Sequence, residues 1–200
     1  MNRQAADGVH GADGVERGEG ADGTGAPAPE LVDADPRTTA VVRGLVPEAG
    51  LRDFFDASFS ALARAIEEQR ITVLSPAFGL YHRSEGGLLD LEVGFATDRA
   101  VRPVGGVVAG SLPGGRVARL THAGPFDGLG PSWERLRSWM GERGLPPAED
   151  RWETYVTRPS PDMDPRDLRT ELNWPVADRR DGGTPEDDSA EAVPGGGARP

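Results

Sequence analysis

The chain contains neither cysteine nor lysine among its 200 residues. Without cysteine there is no disulfide, no thiolate nucleophile and no thiolate metal site. Without lysine there is no Walker-type phosphate loop, no Schiff-base amine and no lysine general base. The all-arginine usage is read as a mark of GC-rich coding rather than of function. Long apolar runs are missing too. No segment approaches the ~20 residues of a membrane span, and the N-terminus lacks a signal peptide's hydrophobic core. No basic stripe and no helix-turn-helix stand out, which argues against direct nucleic-acid binding. A soluble, cytoplasmic protein is the expectation.

Both ends are poor in large apolar side chains. Residues 1–37 are crowded with Gly, Ala and Asp, repeat Ala-Asp-Gly from Ala6, Ala12 and Ala21, and hold eight acids against three arginines. Residues 178–200 hold six acids against three arginines. Such segments cannot bury enough surface to offset chain entropy, so two disordered tails are expected. They carry −5 and −3 of the net −11, which leaves −3 for residues 38–177. The acidity therefore describes the tails, and 38–177 is expected to form the folded domain.

Within that domain the hydrophobic period switches between 2 and 3.6. Thr39–Val46 reads as a strand, closed by Pro47 and Gly50. Leu51–Gln69 reads as a helix with Phe55, Phe59, Leu62 and Ile66 on one stripe. Pro76–His82 and Leu88–Ala96 form a hairpin around Ser84–Gly87, with Leu89, Leu91, Val93 and Phe95 inward and Asp90, Glu92 and Gly94 outward. Arg99–Gly115 is a Gly/Pro-punctuated connector with Val107–Ala109 extended. Then the order returns. Arg116–His122 is a strand, Gly124, Pro125 and Gly128 a turn, and Leu129 to about Gly141 a helix. Its stripe is Leu129, Trp133, Leu136 and Met140, and Gly144, Pro146 and Pro147 stop it. Two short alternating runs follow within Arg151–Val176. The predicted fold is α+β: duplicated strand–helix–strand–strand units forming an antiparallel sheet covered by two helices. The uncovered side, or the seam between halves, is where a pocket is expected.

The last two runs concentrate the chemistry. Alternation puts Trp152, Thr154 and Val156 on one face of the first, and Glu153, Tyr155 and Thr157 on the other. In the second, Thr170, Leu172 and Trp174 share a face opposite Glu171 and Asn173. If the runs pair, both carboxylates and Tyr155 would line one surface while the tryptophans pack the other.

Four segments carry a resemblance: Leu112–Asp127 (LPGGRVARLTHAGPFD), Trp133–Trp139 (WERLRSW), Glu153–Tyr155 and Thr170–Pro175 (TELNWP). With looser matches through Pro76–Tyr81 and Asp90–Gly94, their order and spacing resemble the GyrI-like small-molecule-binding domains. These also occur as effector-binding halves of AraC- and MerR-type multidrug regulators. The resemblance spans about Thr39–Val176 and implies an aromatic pocket with a glutamate near its floor. It implies three functions. One is binding of flat, aromatic, often cationic drug-like compounds, for sensing or sequestration. A second is hydrolysis of cyclopropane-bearing genotoxins by a glutamate and an aromatic hydroxyl. The third is inhibition of a protein partner, DNA gyrase.

On this basis Glu171 is the first candidate for the pocket carboxylate, with Glu153 as alternative or second member. A carboxylate beside aromatic rings attracts cations by charge, and the ring faces add cation–π attraction. Tyr155 would donate to a ligand or to attacking water; in the enzymatic reading Glu171 and Tyr155 are the catalytic pair. Trp133 is a candidate wall, as are Trp174, Phe78, Tyr81 and Phe126, whereas Trp139 and Trp152 are assigned to the core. His10 lies in a tail, His82 ends a strand, and His122 is expected to cap the Gly-Pro turn. No two have metal-ligand spacing, and no nucleophile elbow is present. Asp164 before Pro165 reads as an N-cap rather than a metal ligand. No metal and no cofactor are expected.

Overall fold

A computed structural model describes residues 27–82, 86–158, 160 and 162–177. The Ala-Asp-Gly repeats, His10, Ser84 at the hairpin turn and residues 178–200 lie outside the described residues. The described residues form eight strands: β1 (Glu30–Ala34), β2 (Arg37–Pro47), β3 (Phe78–Tyr81), β4 (Leu88–Ala96), β5 (Val107–Leu112), β6 (Gly115–Ala123), β7 (Arg151–Tyr155) and β8 (Arg169–Pro175). Two α-helices accompany them, α1 (Leu51–Gln69) and α2 (Leu129–Glu142). The strands form one sheet in the order β1-β6-β8-β7-β3-β4-β2-β5, and every pairing is antiparallel.

The duplication is visible in that order. The unit β2-α1-β3-β4 contributes the block β3-β4-β2, and β6-α2-β7-β8 contributes β6-β8-β7. The blocks meet where β3 pairs with β7, so the seam runs through the middle of the sheet. The α+β architecture read from the periodicity is the one observed.

Directly paired residues share a sheet face. One row across the sheet is therefore Leu120, Leu172, Glu153, Gly79, Val93, Val42 and Val107. Both helices cover this face. From α2, Trp133, Leu136 and Met140 pack on Ala118, Leu120, Leu172 and Trp174. From α1, Leu62 and Ala65 pack with Ala40, Ile71, Val101 and Val107. Each Leu, Ile, Val or Met so buried contributes about 1.5–3 kcal/mol, and each alanine methyl about 0.8.

The opposite face is packed as well. Val41, Phe78, Leu80, Leu112, Val117 and Trp152 form a cluster there, with Val32, Ala34 and Val108 against it. Val32 and Ala34 belong to one edge strand, and Val108 and Leu112 to the other, so the sheet curls until its edges share a core. The chain itself requires this. Only Pro113 and Gly114 separate β5 from β6, a reach of about 11 Å for three Cα steps.

The curl corrects two expectations. Glu92 was expected to point outward, yet it is 6% exposed. It faces the inner cluster, where Arg43 Nε meets it at 2.8 Å. Residues 30–34, assigned by composition to a tail, are a strand in register with β6 from Glu30↔Arg119 to Ala34↔Gly115. Two apolar residues in an acidic stretch give no strand signal alone; the exposed edge of β6 supplies the partner.

Candidate functional site

Glu153 sits at the seam and is 6% exposed. A buried carboxylate needs donors to replace its hydration. Three converge on it. Trp133 Nε1, from α2, donates to Oε1 at 3.0 Å. The hydroxyls of Tyr81 on β3 and Tyr155 on β7 donate to Oε2 at 3.2 and 3.1 Å. These are the chain's two tyrosines, and both end on one oxygen. Burial, followed by the charge of Glu153, pushes the Tyr81 hydroxyl well above its ordinary pKa. Tyr155 is raised by burial first and then by Tyr81 and Glu153. Both phenols therefore stay protonated and act as donors.

Aromatic side chains wall this cluster. Phe55 from α1 and Phe126 from the 3-10 turn Phe126–Gly128 meet Tyr155 edge-to-face, each with ring centroids 5.9 Å apart. Phe126 remains 43% exposed. Gly79, the register partner of Glu153, is required by Tyr155: a Cβ there would lie 2.8 Å from the phenol oxygen and 3.4 Å from the Phe55 ring. On the other side Trp133 and Trp174 are T-shaped at 5.6 Å. The Arg151 guanidinium lies 4.7 Å from the Trp133 centroid and 5.1 Å from that of Trp174.

Several predicted site residues gather here: Glu153, Tyr155, Trp133, Trp174, Tyr81 and Phe126. Glu171 does not. It pairs with Thr154, whereas Glu153 pairs with Leu172, so the two carboxylates occupy opposite faces. Glu171 is 30% exposed and 3.8 Å from Arg119 Nε. The expected Glu171–Tyr155 pair is thus separated by the sheet, because a one-residue offset in register reverses every side chain. Trp174, expected opposite Tyr155, shares its face. Phe78 is corrected likewise: it pairs with Thr154 and is buried in the inner cluster.

Other local readings hold. Trp152 is core, and Trp139 packs partly buried against the α2 cluster. His122 Nε2 is 3.0 Å from the Pro125 carbonyl, with Nδ1 2.9 Å from Ser132 Oγ, so it braces the turn. Asp164 accepts from Arg166 N at 2.9 Å at the head of the 3-10 turn Pro165–Asp167. Three site residues escaped the sequence reading: Phe55, Gly79 and Arg151. Phe55 was hidden in a helix stripe. A lone glycine in a strand marks a close approach, and Arg151 stands two residues before Glu153, so both left a signal.

A model of the GyrI-like small molecule binding domain matches residues 27–177. The chain belongs to that family. The match reaches back over β1, in keeping with the strand's place in the sheet. No curated protein sequence matches the chain. Among solved structures, this GyrI-like chain is similar to the EcmrR C-terminal domain, at 20% identity and TM-score 0.66, covering 76% of this chain and 98% of that one. Against EcmrR in its DNA complex it spans 56% of that chain. A hydrolase from Listeria innocua aligns at 16% identity and TM-score 0.57 over 76% of this chain and 93% of its own. SAV2435 bound to tetraphenylphosphonium aligns at 12% identity and TM-score 0.57 over 74% and 93%. At these identities the likeness is one of fold. Among the described residues, no helix is long and apolar enough to cross a membrane.

Proposed function

We propose that this GyrI-like chain binds drug-like aromatic small molecules between α1 and α2, with Glu153 as polar anchor. Phe55, Phe126, Tyr155 and Trp133 form the walls. The observation that carries this reading is the convergence of three neutral donors from α2, β3 and β7 on one buried carboxylate. A carboxylate offers about four lone-pair positions, so roughly one remains for a ligand's donor. Aromatic rings on either side suit an aromatic ligand. Phe126, at a turn and 43% exposed, is the wall through which a ligand would enter beside Tyr155. SAV2435 carries an aromatic cation on the same fold, which makes aromatic drugs and dyes the class to try. A positive ligand is drawn by Glu153 but meets Arg151 on the same wall.

Fluorescence titration with a flat aromatic amine dye tests the anchor. Glu153→Gln is expected to weaken binding by about 1–3 kcal/mol, the scale of a charge-assisted contact. Glu171→Gln, on the other face, is expected to change it by less than ~0.5 kcal/mol, as for a surface substitution. Equal losses, or a loss confined to Glu171→Gln, would reject the assignment.

A second reading is hydrolysis of cyclopropane-bearing genotoxins. It is favoured by the Tyr155 hydroxyl lying 3.1 Å from Glu153, a carboxylate–phenol pair able to orient water. Water oxygen would bond to one ring carbon as the strained C–C bond breaks, and its proton would pass to the carbon released. Mass spectrometry should find a product heavier by one water, formed over many turnovers. Capture of a single equivalent rejects catalysis.

A further inference from the structure

The site already contains a cation of its own. Arg151 precedes Glu153 by two residues on β7, which places both on the helix-covered face. Its register partner is Tyr81, one of the donors to Glu153. The guanidinium lies 4.7 Å from the Trp133 centroid and 5.1 Å from that of Trp174, both inside the ~6 Å reach of a cation–π contact. Trp133 therefore serves two charges at once. Its indole edge donates to Glu153 at 3.0 Å while its face carries Arg151. An arginine suits this place because its planar, weakly hydrated head stacks on rings while remaining charged.

We propose that Arg151 is a resident cation that sets the charge selectivity of the ligand site. It occupies the tryptophan faces on the same side of β7 as Glu153, so the chain takes uncharged aromatic ligands in preference to matching cations. This rests on the reading of Glu153 as the ligand anchor. A cationic ligand must either lift the guanidinium from two tryptophans or settle beside it. In a partly buried site, with an effective dielectric near ~20, like charges repel several times more strongly than in water. A neutral ring of the same shape meets neither cost and still presents its donor to Glu153. The arginine thus turns an acidic aromatic site, which by composition would collect cations indiscriminately, into a selective one.

The test compares acridone with 9-aminoacridinium, near-isosteric fluorescent dyes that both carry a ring N–H donor, at neutral pH, where the first is uncharged and the second protonated. Affinities are measured by fluorescence for the full-length wild type, Arg151→Gln, Arg151→Lys and Glu153→Gln, with a thermal melt of each. Wild type is expected to bind acridone more tightly than the cation. Arg151→Gln should shift the ratio toward the cation by about tenfold, within the range of a desolvated cation–π contact. Arg151→Lys, which keeps the charge, should hold the ratio within about threefold of wild type, the difference expected from stacking alone. A purely structural arginine would lower the melting temperature and both affinities together, leaving the ratio unmoved; that result overturns the proposal. So does a wild type that already prefers the cation. If the ratio is unmoved while Glu153→Gln still weakens both dyes, Glu153 stands and only the role of Arg151 falls. Binding of neither dye to any of the four proteins overturns the ligand reading, and the selectivity with it.

Discussion

Two glutamates are buried to the same degree, 6% exposed, on opposite faces of the sheet, and they are satisfied by different chemistry. Glu153 accepts from neutral donors, the Trp133 indole and the two tyrosine hydroxyls. Glu92 has cations: Arg43 Nε at 2.8 Å and His82 Nε2 at 3.5 Å. His82 in turn holds Asp150 through Nδ1 at 3.0 Å. Burial alone would lower the pKa of His82. The hydrogen bond and charge of Asp150, then the charges of Glu92 and Asp90, outweigh it and raise the pKa above 6.5. A histidine that binds its proton more tightly when folded stabilises the fold fully below its unfolded pKa of about 6.5. That contribution is lost as pH rises through the higher folded value. His82→Gln is therefore expected to lower the melting temperature most under acidic conditions, with the gap to wild type closing as pH rises. A gap that stays constant across a pH series of melts would mean that only packing, not charge, is at stake.

At the scale of elements, two strand glycines have unequal reasons to be glycine. A Cβ at Gly94 on β4 would collide with the Ala40 carbonyl oxygen of β2 and lie 2.8 Å from Val41 Cγ1. Backbone cannot yield there without breaking the β2–β4 ladder. At Gly79 the obstacle is the end of a side chain, the Tyr155 hydroxyl. Gly79→Ala is expected to cost about 1–3 kcal/mol, the range for overpacking, and to displace Tyr155 from Glu153 with loss of ligand affinity. Gly94→Ala should cost more than Gly79→Ala in urea denaturation; the reverse order would show that the strands slide to accommodate it. Elements of this kind were legible where a period persists. The α1 and α2 stripes and the β3–β4 hairpin follow from spacing alone. The face of Glu171 was not. Alternation fixes faces within β7 and within β8, but their mutual register depends on how the two strands are joined, which no period describes. Glu92 was misread for a related reason, since alternation cannot reveal that the second face is covered too.

At the scale of the molecule, what hides the second face is the curl, and the curl depends on distant strands. β1 is the least legible element and has a disproportionate task. Its Val32 pairs with Val117, which is fully buried, and packs with Ala34 against the inner cluster. We therefore place the domain boundary before β1, at residue 27, where the family match also begins, rather than at residue 38. A chain of residues 27–177 is expected to unfold at the same denaturant midpoint as the full-length chain. A chain of 38–177 loses the partial burial of Val32, roughly 1 kcal/mol for about half of such a side chain, and uncovers the nine-residue strand β6 as a new edge. Unpaired edges recruit other strands. The shorter chain should therefore be less stable by roughly that amount and should self-associate more strongly in light scattering. If the two truncated chains unfold together and scatter alike, β1 contributes nothing, and the composition was right to assign residues 30–34 to the tail.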